Sequence, residues 1–167
     1  MSAVMNKPSP TDKDMAEFFR LGLSLGTCDV SQVVRWAEKV VEREEKPNHA
    51  FIELCLAENT AASAVISLLA DIPGSSTTGL PLRMLLGHCW HIASHSPDQG
   101  ERLLRPLYLM VSLEDFGSDK YIALVCLEDD WSLARDNLFG SIQDVMKEFL
   151  AFLQTYAADA PREIVTR

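Results

Sequence analysis

Apolar residues recur every three or four positions along most of this chain, which is the spacing that places side chains on one face of an α-helix. Segment 30–41 is the clearest example, because its valines and alanine face one way and its charged residues face the other. A second strong apolar stripe covers 142–156. The pattern predicts an all-α protein, a compact multi-helix bundle of about seven to eight helices.

Short capping patterns predict where several helices begin. A Ser, Thr or Asp side chain before a helix can accept a hydrogen bond from a backbone N–H group that the helix leaves free. Thr11 is followed three residues later by Asp14, and Asp29 is followed by Gln32 in the same way. Ser141 precedes the last apolar stripe. We therefore expect helices to begin directly after these three capping residues.

The stretch 107–127 is where the pattern allows two structures. "LYLMVSL" and "YIALVCL" contain strand-favouring residues and are separated by the turn-like "EDFGSDK", so the alternative is an α+β fold with a hairpin at 107–127. We expect helices, because the flanking segments are helical and an isolated two-stranded hairpin is marginally stable. Pro106 is expected to kink or end the sixth helix, Ser118 to begin the next, and "WSLARDNL" to form a separate short helix.

Both ends of the chain lack a helical stripe. The sequence predicts a flexible N-terminal tail over 1–10, a single helical domain over 11–157 and a loose C-terminal tail over 158–167. A chain of 167 residues with 47% apolar residues can build one such core without disulfides or metal.

Composition limits the partners and the compartment. The chain has 24 acidic and 15 basic residues and a formal net charge of -9, which disfavours nucleic acid because phosphate binding needs a concentrated basic face. No apolar run is long enough to span a membrane and no signal peptide is evident, so we expect a cytoplasmic protein without a membrane partner. The four widely spaced cysteines are expected to be reduced, mostly buried thiols.

The segment "GHCWHIASH" at 87–95 carries three histidines on one predicted helix. His88, His91 and His95 fall within roughly 60° of one another around that helix, so a shared metal ion is geometrically possible. No nearby pattern supplies the remaining ligand, and Cys89 points into the apolar stripe. The preferred interpretation is a helix edge whose imidazoles hydrogen-bond carbonyls or carboxylates, with no metal bound; a metal site is the alternative.

Patterns typical of the common enzyme classes do not occur in the sequence. The phosphate-binding loop, the dinucleotide glycine fingerprint, the serine elbow and the zinc-protease pattern are all missing. We therefore expect no catalysis and no cofactor.

An acidic cluster indicates a different kind of function. Glu128, Asp129 and Asp130 are consecutive and directly precede Trp131. Acidic side chains can guide a basic partner into place, and a tryptophan can anchor it by burying a large apolar surface. These four residues are the predicted partner-binding site.

Two stretches of the chain show a resemblance: "VVRWAEKVVEREEKPNHAFIELCLA" at 33–57 and "CLEDDWSLARDNLFGSIQDVMKEFLAFLQTY" at 126–156. They resemble a loose group of small bacterial cytoplasmic helical proteins, most of them uncharacterised. The shared pattern is a Trp-Ala-acid helix, a proline and an L-x-L-A segment, then an aspartate pair, Gly-Ser and a final amphipathic helix. The resemblance implies that Asp129, Asp130 and Gly140 shape a helix junction. Some members accompany toxins as immunity proteins, which implies a similar role here.

These observations predict a non-enzymatic protein that binds another protein, a basic toxin or effector, through an acidic surface and blocks it by occlusion. Two alternatives stay open at this point. One is a metal-binding enzyme or sensor that uses His88, His91 and His95. The other is an adaptor or chaperone-like subunit.

Overall fold

The computed structural model describes residues 9–113 and 118–165, and all of the regular secondary structure within these ranges is helical. This confirms the predicted all-α bundle. A short 3₁₀ helix, Ala157–Asp159, lies between the last two α-helices. The α-helices are α1 Asp12–Leu25, α2 Val30–Arg43, α3 His49–Cys55, α4 Ala62–Ala70, α5 Leu80–His95, α6 Pro97–Leu113, α7 Ser118–Arg135, α8 Ile142–Gln154 and α9 Arg162–Val165.

The fifth helix is the centre of the fold. It packs against α1, α6 and α8 and against the 3₁₀ helix and α9. A helix that is covered on most sides must be apolar on most sides, and α5 is. Its buried apolar side chains include Leu82, Met84, Leu85, Leu86, Cys89 and Ala93.

The first four helices form one flank of the bundle, in which α2 packs on α3, and α4 packs on α1 and α3. A row of three aromatic rings joins α1, α2 and α3. Trp36 lies between Phe19 and Phe51, with ring centroids 5.3 and 5.4 Å apart. Trp36 is buried in this row and belongs to the core.

The three capping patterns are confirmed. Thr11 and Asp29 each accept a hydrogen bond from the backbone N–H three residues later, and the residue at that position returns a bond to the cap. The Ser141 side chain accepts from the Asp144 backbone N–H at the start of α8. These contacts are local in sequence, so they form as soon as the first helical turn does.

The ambiguous stretch is helical wherever the structure describes it. Residues 107–113 complete α6 and residues 118–127 begin α7, while 114–117 lie outside the described residues. The predicted helices are confirmed there, and the described residues include no strand.

Pro106 was expected to kink or end α6, and the helix does not end there. A proline inside a helix costs roughly 3 kcal/mol because it lacks an N–H group and its ring crowds the preceding turn. Pro106 is exposed, whereas Leu104 and Leu107 beside it are fully buried. Core packing on both sides of the proline offsets its cost, and α6 continues to Leu113.

The seventh helix runs without a break to Arg135, so the expected separate helix over "WSLARDNL" is also wrong. Leu124, Leu127 and Ala134 are buried along its length and hold one continuous inner face against the core. Asp129 and Asp130 consequently lie well inside α7 and do not shape a helix junction.

Residues 157–165 lie against α5, where the sequence predicts a loose tail from residue 158. The backbone of this segment touches α5 at Gly87. A Cβ atom built on Gly87 would be 2.3 Å from the Tyr156 carbonyl oxygen and 2.8 Å from the Ala160 nitrogen. Only a residue without a side chain allows this approach, so Gly87 fixes where the C-terminal segment sits.

Candidate functional site

The predicted acidic site lies on α7, which packs against α6 and α8. Successive side chains on a helix are about 100° apart, so four consecutive residues cannot share one face. Glu128 and Trp131 are half-buried, whereas Asp129 and Asp130 are exposed. Two of the four predicted residues therefore pack partly against the rest of the molecule, and the other two are accessible to a partner.

Glu128 and Trp131 both turn toward α6. The Glu128 carboxylate pairs with Arg105, whose Nη1 atom is 3.4 Å from Oε1. The Trp131 indole N–H donates to Glu101 Oε1 at 3.3 Å. The Arg135 guanidinium lies 4.9 Å from the centroid of the indole ring and covers it. The contacts of Glu128 and Trp131 with Arg105 and Glu101 join α7 to α6, and the Arg135 contact lies within α7.

Asp129 and Asp130 are left to form the accessible acidic surface. Asp136, directly after the last residue of α7, is also exposed and pairs with Arg135, whose Nε atom is 3.1 Å from Oδ1. These aspartates contribute to the negative field of a chain whose formal net charge is -9.

Large apolar side chains lie exposed beside these aspartates. Ile122 and Leu133 are exposed on α7 itself. Leu138 and Phe139 follow the end of α7, and each has 73% of its surface exposed. Sequence reasoning missed these residues, although their position in a polar turn was the signal that could have found them.

The turn that carries Leu138 and Phe139 has a defined backbone. The backbone N–H groups of both residues donate to the Leu133 carbonyl, at 2.9 and 3.4 Å. Asn137 adopts a left-handed conformation with φ 55°, which asparagine tolerates better than most residues, and Gly140 follows with φ 74°. The two apolar side chains are therefore presented on a hydrogen-bonded turn.

No known protein family, curated protein or solved structure matches this chain. The resemblance to immunity-associated bacterial proteins stays a prediction, and the surface of α7 and its following turn carries the functional argument. Within the described ranges, no helix is long and apolar enough to cross a membrane.

The three histidines of α5 do not converge on one point. His88 is buried, His91 is half-buried and His95 is exposed. The His95 Nδ1–H group donates to the His91 carbonyl at 2.7 Å, one turn back on the same helix. Among the residues that the structure describes, no group of three or more His, Cys, Asp or Glu side chains is placed to hold a metal ion.

His88 is held against the end of α1. Its Nε2–H group donates to the Thr27 carbonyl at 2.9 Å, which is the kind of contact that the helix-edge interpretation expects. Phe18 packs against the ring with centroids 5.8 Å apart. The other ring nitrogen, Nδ1, is buried and has no hydrogen-bond partner among the described residues. Burial lowers the pKa of His88 below its ordinary value of 6.5, although the Thr27 hydrogen bond opposes the shift.

The cysteines have no partner for a disulfide and all four are free thiols. Cys28 and Cys89 are buried, Cys55 is half-buried and Cys126 is exposed. Burial raises the pKa of Cys28 to about 12, so this thiol stays protonated and unreactive at neutral pH.

Acid should destabilise this protein through His88. A lowered folded pKa means that the unfolded chain takes up the proton first, so stability is lost as pH falls from 6.5 toward the folded value. Urea unfolding at pH 7.5 and at pH 5.5 gives the free energy of unfolding at each pH. The difference between the two values should be smaller for His88→Gln than for the wild type. His95→Gln, on an exposed histidine of the same helix, is the control and should leave the wild-type dependence in place. Equal pH dependence in all three proteins would contradict the role of His88.

Proposed function

We propose that this chain is a non-enzymatic protein that binds another protein through the exposed face of α7 and the turn that follows it. The observation that carries the proposal is the Leu138–Phe139 turn, in which two adjacent large apolar side chains are each 73% exposed beside the α7 aspartates. Burying a leucine or phenylalanine in an interface contributes roughly 1.5–3 kcal/mol per side chain. A rigid pair of this kind is an effective anchor.

The composition of this surface fits an interface better than an active site. Protein interfaces combine apolar anchors with a polar rim that stays wet and selects the partner. Here Leu138, Phe139 and Leu133 supply apolar area, and Asp129 and Asp130 supply charge close by along α7. The aspartates favour a partner with a basic contact surface.

The proposed action is occlusion. A basic toxin or effector held on this surface would have its own contact region covered and would be unable to reach its target. This is the role that the resemblance to immunity-associated proteins implies. It requires no chemistry from the chain itself.

Replacing both Asp129 and Asp130 with lysine should slow association with the natural partner about tenfold at low salt and reduce the salt dependence of binding. The partner can be identified by native mass spectrometry of the protein purified at its endogenous level. Association and dissociation rates of the isolated partner are then measured with purified wild type and variant. Glu128 is left unchanged, because its pairing with Arg105 would make a substitution disturb the α6–α7 contact.

Glu53→Lys combined with Glu58→Lys is the matched control, because both glutamates are exposed and lie at α3, away from α7. The net charge changes by the same amount in the two double variants. If the control slows association as much as the α7 variant does, binding depends on overall charge and the α7 surface is not the interface.

A further inference from the structure

The outer face of α7, together with Asp136 directly after its last residue, carries a regular row of exposed residues separated by three, four, three, four and three positions. The Asp136 N–H group still donates to the Ser132 carbonyl at 3.1 Å, so Asp136 continues the helical register. We call this row the α7 seam. Its members are Asp119, Ile122, Cys126, Asp129, Leu133 and Asp136.

The spacing places the whole seam on one side of the helix. At about 100° per residue, the six positions fall within an arc of roughly 100°, opposite the buried face formed by Leu124, Leu127 and Ala134. Alternation of three and four positions is the spacing with which one helix packs along another, in the manner of the a and d positions of a coiled coil. The seam therefore has the register of a helix-binding face.

The charge of the seam selects among the helices that could pack there. Three of the six positions are aspartates, and the others are the apolar Ile122 and Leu133 and the thiol Cys126. Asp136 pairs with Arg135, whose Nε atom is 3.1 Å from Oδ1. A helix with only apolar residues in its contact positions would bury the Asp119 and Asp129 carboxylates without partners, which costs several kcal/mol. A helix with lysine or arginine opposite the aspartates would pair them instead.

A second copy of this chain fits poorly. Two α7 helices packed in parallel would place each aspartate opposite itself. Packed antiparallel and in register, they would place Asp119 opposite Asp136, while Ile122 meets Leu133. Like charges face each other in both arrangements, and this disfavours self-association.

We propose that the α7 seam binds an amphipathic helix of the partner in which basic residues face the three aspartates and aliphatic residues face Ile122 and Leu133. This inference rests on the proposed function and specifies the partner. The seam from Asp119 to Asp136 is about 26 Å long at 1.5 Å per residue, so the partner helix has about five turns.

A synthetic peptide of about five turns tests the proposal directly. Its contact positions follow the seam spacing, with lysine at each position that faces an aspartate and leucine at the others, and its remaining positions are alanine and glutamine. A second peptide has glutamate in place of each lysine. Fluorescence anisotropy with the full chain should show saturable binding of the lysine peptide and at least tenfold weaker binding of the glutamate peptide. Equal binding of the two peptides, or none, would overturn the proposal.

Reversing the charge of two seam aspartates is the second test of the proposal. Asp119→Lys combined with Asp129→Lys should weaken binding of the lysine peptide at least tenfold and strengthen binding of the glutamate peptide. Asp136 is left unchanged, because it pairs with Arg135. The Glu53→Lys, Glu58→Lys protein carries the same change in net charge off the seam and should stay within about twofold of the wild type for both peptides. Equal effects of the two double variants would show that net charge alone attracts the peptide. Far-UV circular dichroism and thermal unfolding confirm that each variant is folded.

The two proposals can fail separately. Lysine at Asp129 and Asp130 could slow association of the natural partner while the lysine and glutamate peptides bind equally well. The exposed face of α7 is then an interface, and the seam does not select a basic helix. The opposite outcome is that the seam binds the lysine peptide more tightly than the glutamate peptide and reverses this preference in the charge-reversed variant, while lysine at Asp129 and Asp130 leaves association of the natural partner unchanged. In that case the seam has the stated preference and the proposed function is wrong.

Discussion

Asp14→Asn is expected to destabilise the fold by about 3 kcal/mol, the largest effect of any single polar substitution considered for this chain. The Asp14 carboxylate is only 1% exposed and accepts five hydrogen bonds. The donors are the backbone N–H and hydroxyl groups of Thr11 and Thr77 and the hydroxyl of Ser76. Because every partner donates, an amide fits badly: its NH₂ group would face donors.

The charge of Asp14 also makes this contribution depend on pH. Burial by itself would raise the pKa of Asp14, but the hydrogen bonds from Thr11, Thr77 and Ser76 outweigh it and lower the pKa below the ordinary value of 3.8. The ionised Asp14 carboxylate therefore stabilises the fold fully above pH 3.8, and this stabilisation is lost as the pH falls toward the pKa of Asp14 in the folded protein. The stability difference between wild type and Asp14→Asn should narrow below about pH 4.

Urea unfolding followed by circular dichroism at pH 7 and at pH 3.5 measures both effects. Asp144→Asn is the matched control, because Asp144 occupies the same position at the start of α8 and is exposed. It should destabilise the protein much less than Asp14→Asn does, because an exposed group loses little solvation on folding. If Asp14→Asn costs no more than Asp144→Asn, the buried hydrogen bonds of Asp14 do not hold the loop over residues 76–77 against α1.

Gly87→Ala is expected to destabilise the protein by about 2 kcal/mol, although alanine is by itself the better helix former by roughly 1 kcal/mol. The added Cβ would be 2.3 Å from the Tyr156 carbonyl oxygen, and a backbone group cannot move aside as a side chain can. The segment with Ala157–Asp159 must shift away from α5. The expected sign is thus opposite to the one that helix propensity predicts.

Gly87→Ala should lower the stability of the whole protein and also loosen the C-terminal segment locally. Urea unfolding gives the loss of stability, and hydrogen exchange should show faster exchange of the Asp159 amide, which donates to the Tyr156 carbonyl at 2.8 Å. Ser94→Ala changes an exposed position of the same helix and should leave both measurements close to the wild type. A Gly87→Ala protein that is more stable than the wild type would show that the C-terminal segment does not pack on α5 as described.

The local features of this fold could be predicted from the sequence, because their causes are local. The caps at Thr11, Asp29 and Ser141 each use groups within three residues of one another. The helices over 107–113 and 118–127 follow from the helical neighbours on either side. Continuity of α6 through Pro106 could not be predicted, since it depends on burial of Leu104 and Leu107 in a core that other helices complete.

In the candidate site, too, the features set by local helix geometry could be predicted, and the contacts between distant segments could not. That Asp129 and Asp130 cannot share a face with Trp131 follows from helix geometry, once α7 is known to be continuous. The pairing of Glu128 with Arg105 and of Trp131 with Glu101 depends on α6, which lies 23 and 30 residues away in the chain. The donors to Asp14 from Ser76 and Thr77 are 62 and 63 residues away. No spacing in the sequence indicates such contacts.

The contact at Gly87 has a consequence for how the protein is made. Synthesis proceeds from the N-terminus, so α5 leaves the ribosome well before the segment that covers it. Until residues 156–161 follow, one side of the central helix is open to chaperones and to other nascent chains. The native state is therefore completed by a late, long-range closure, and any factor that occupies this side of α5 during translation would delay maturation of the whole protein.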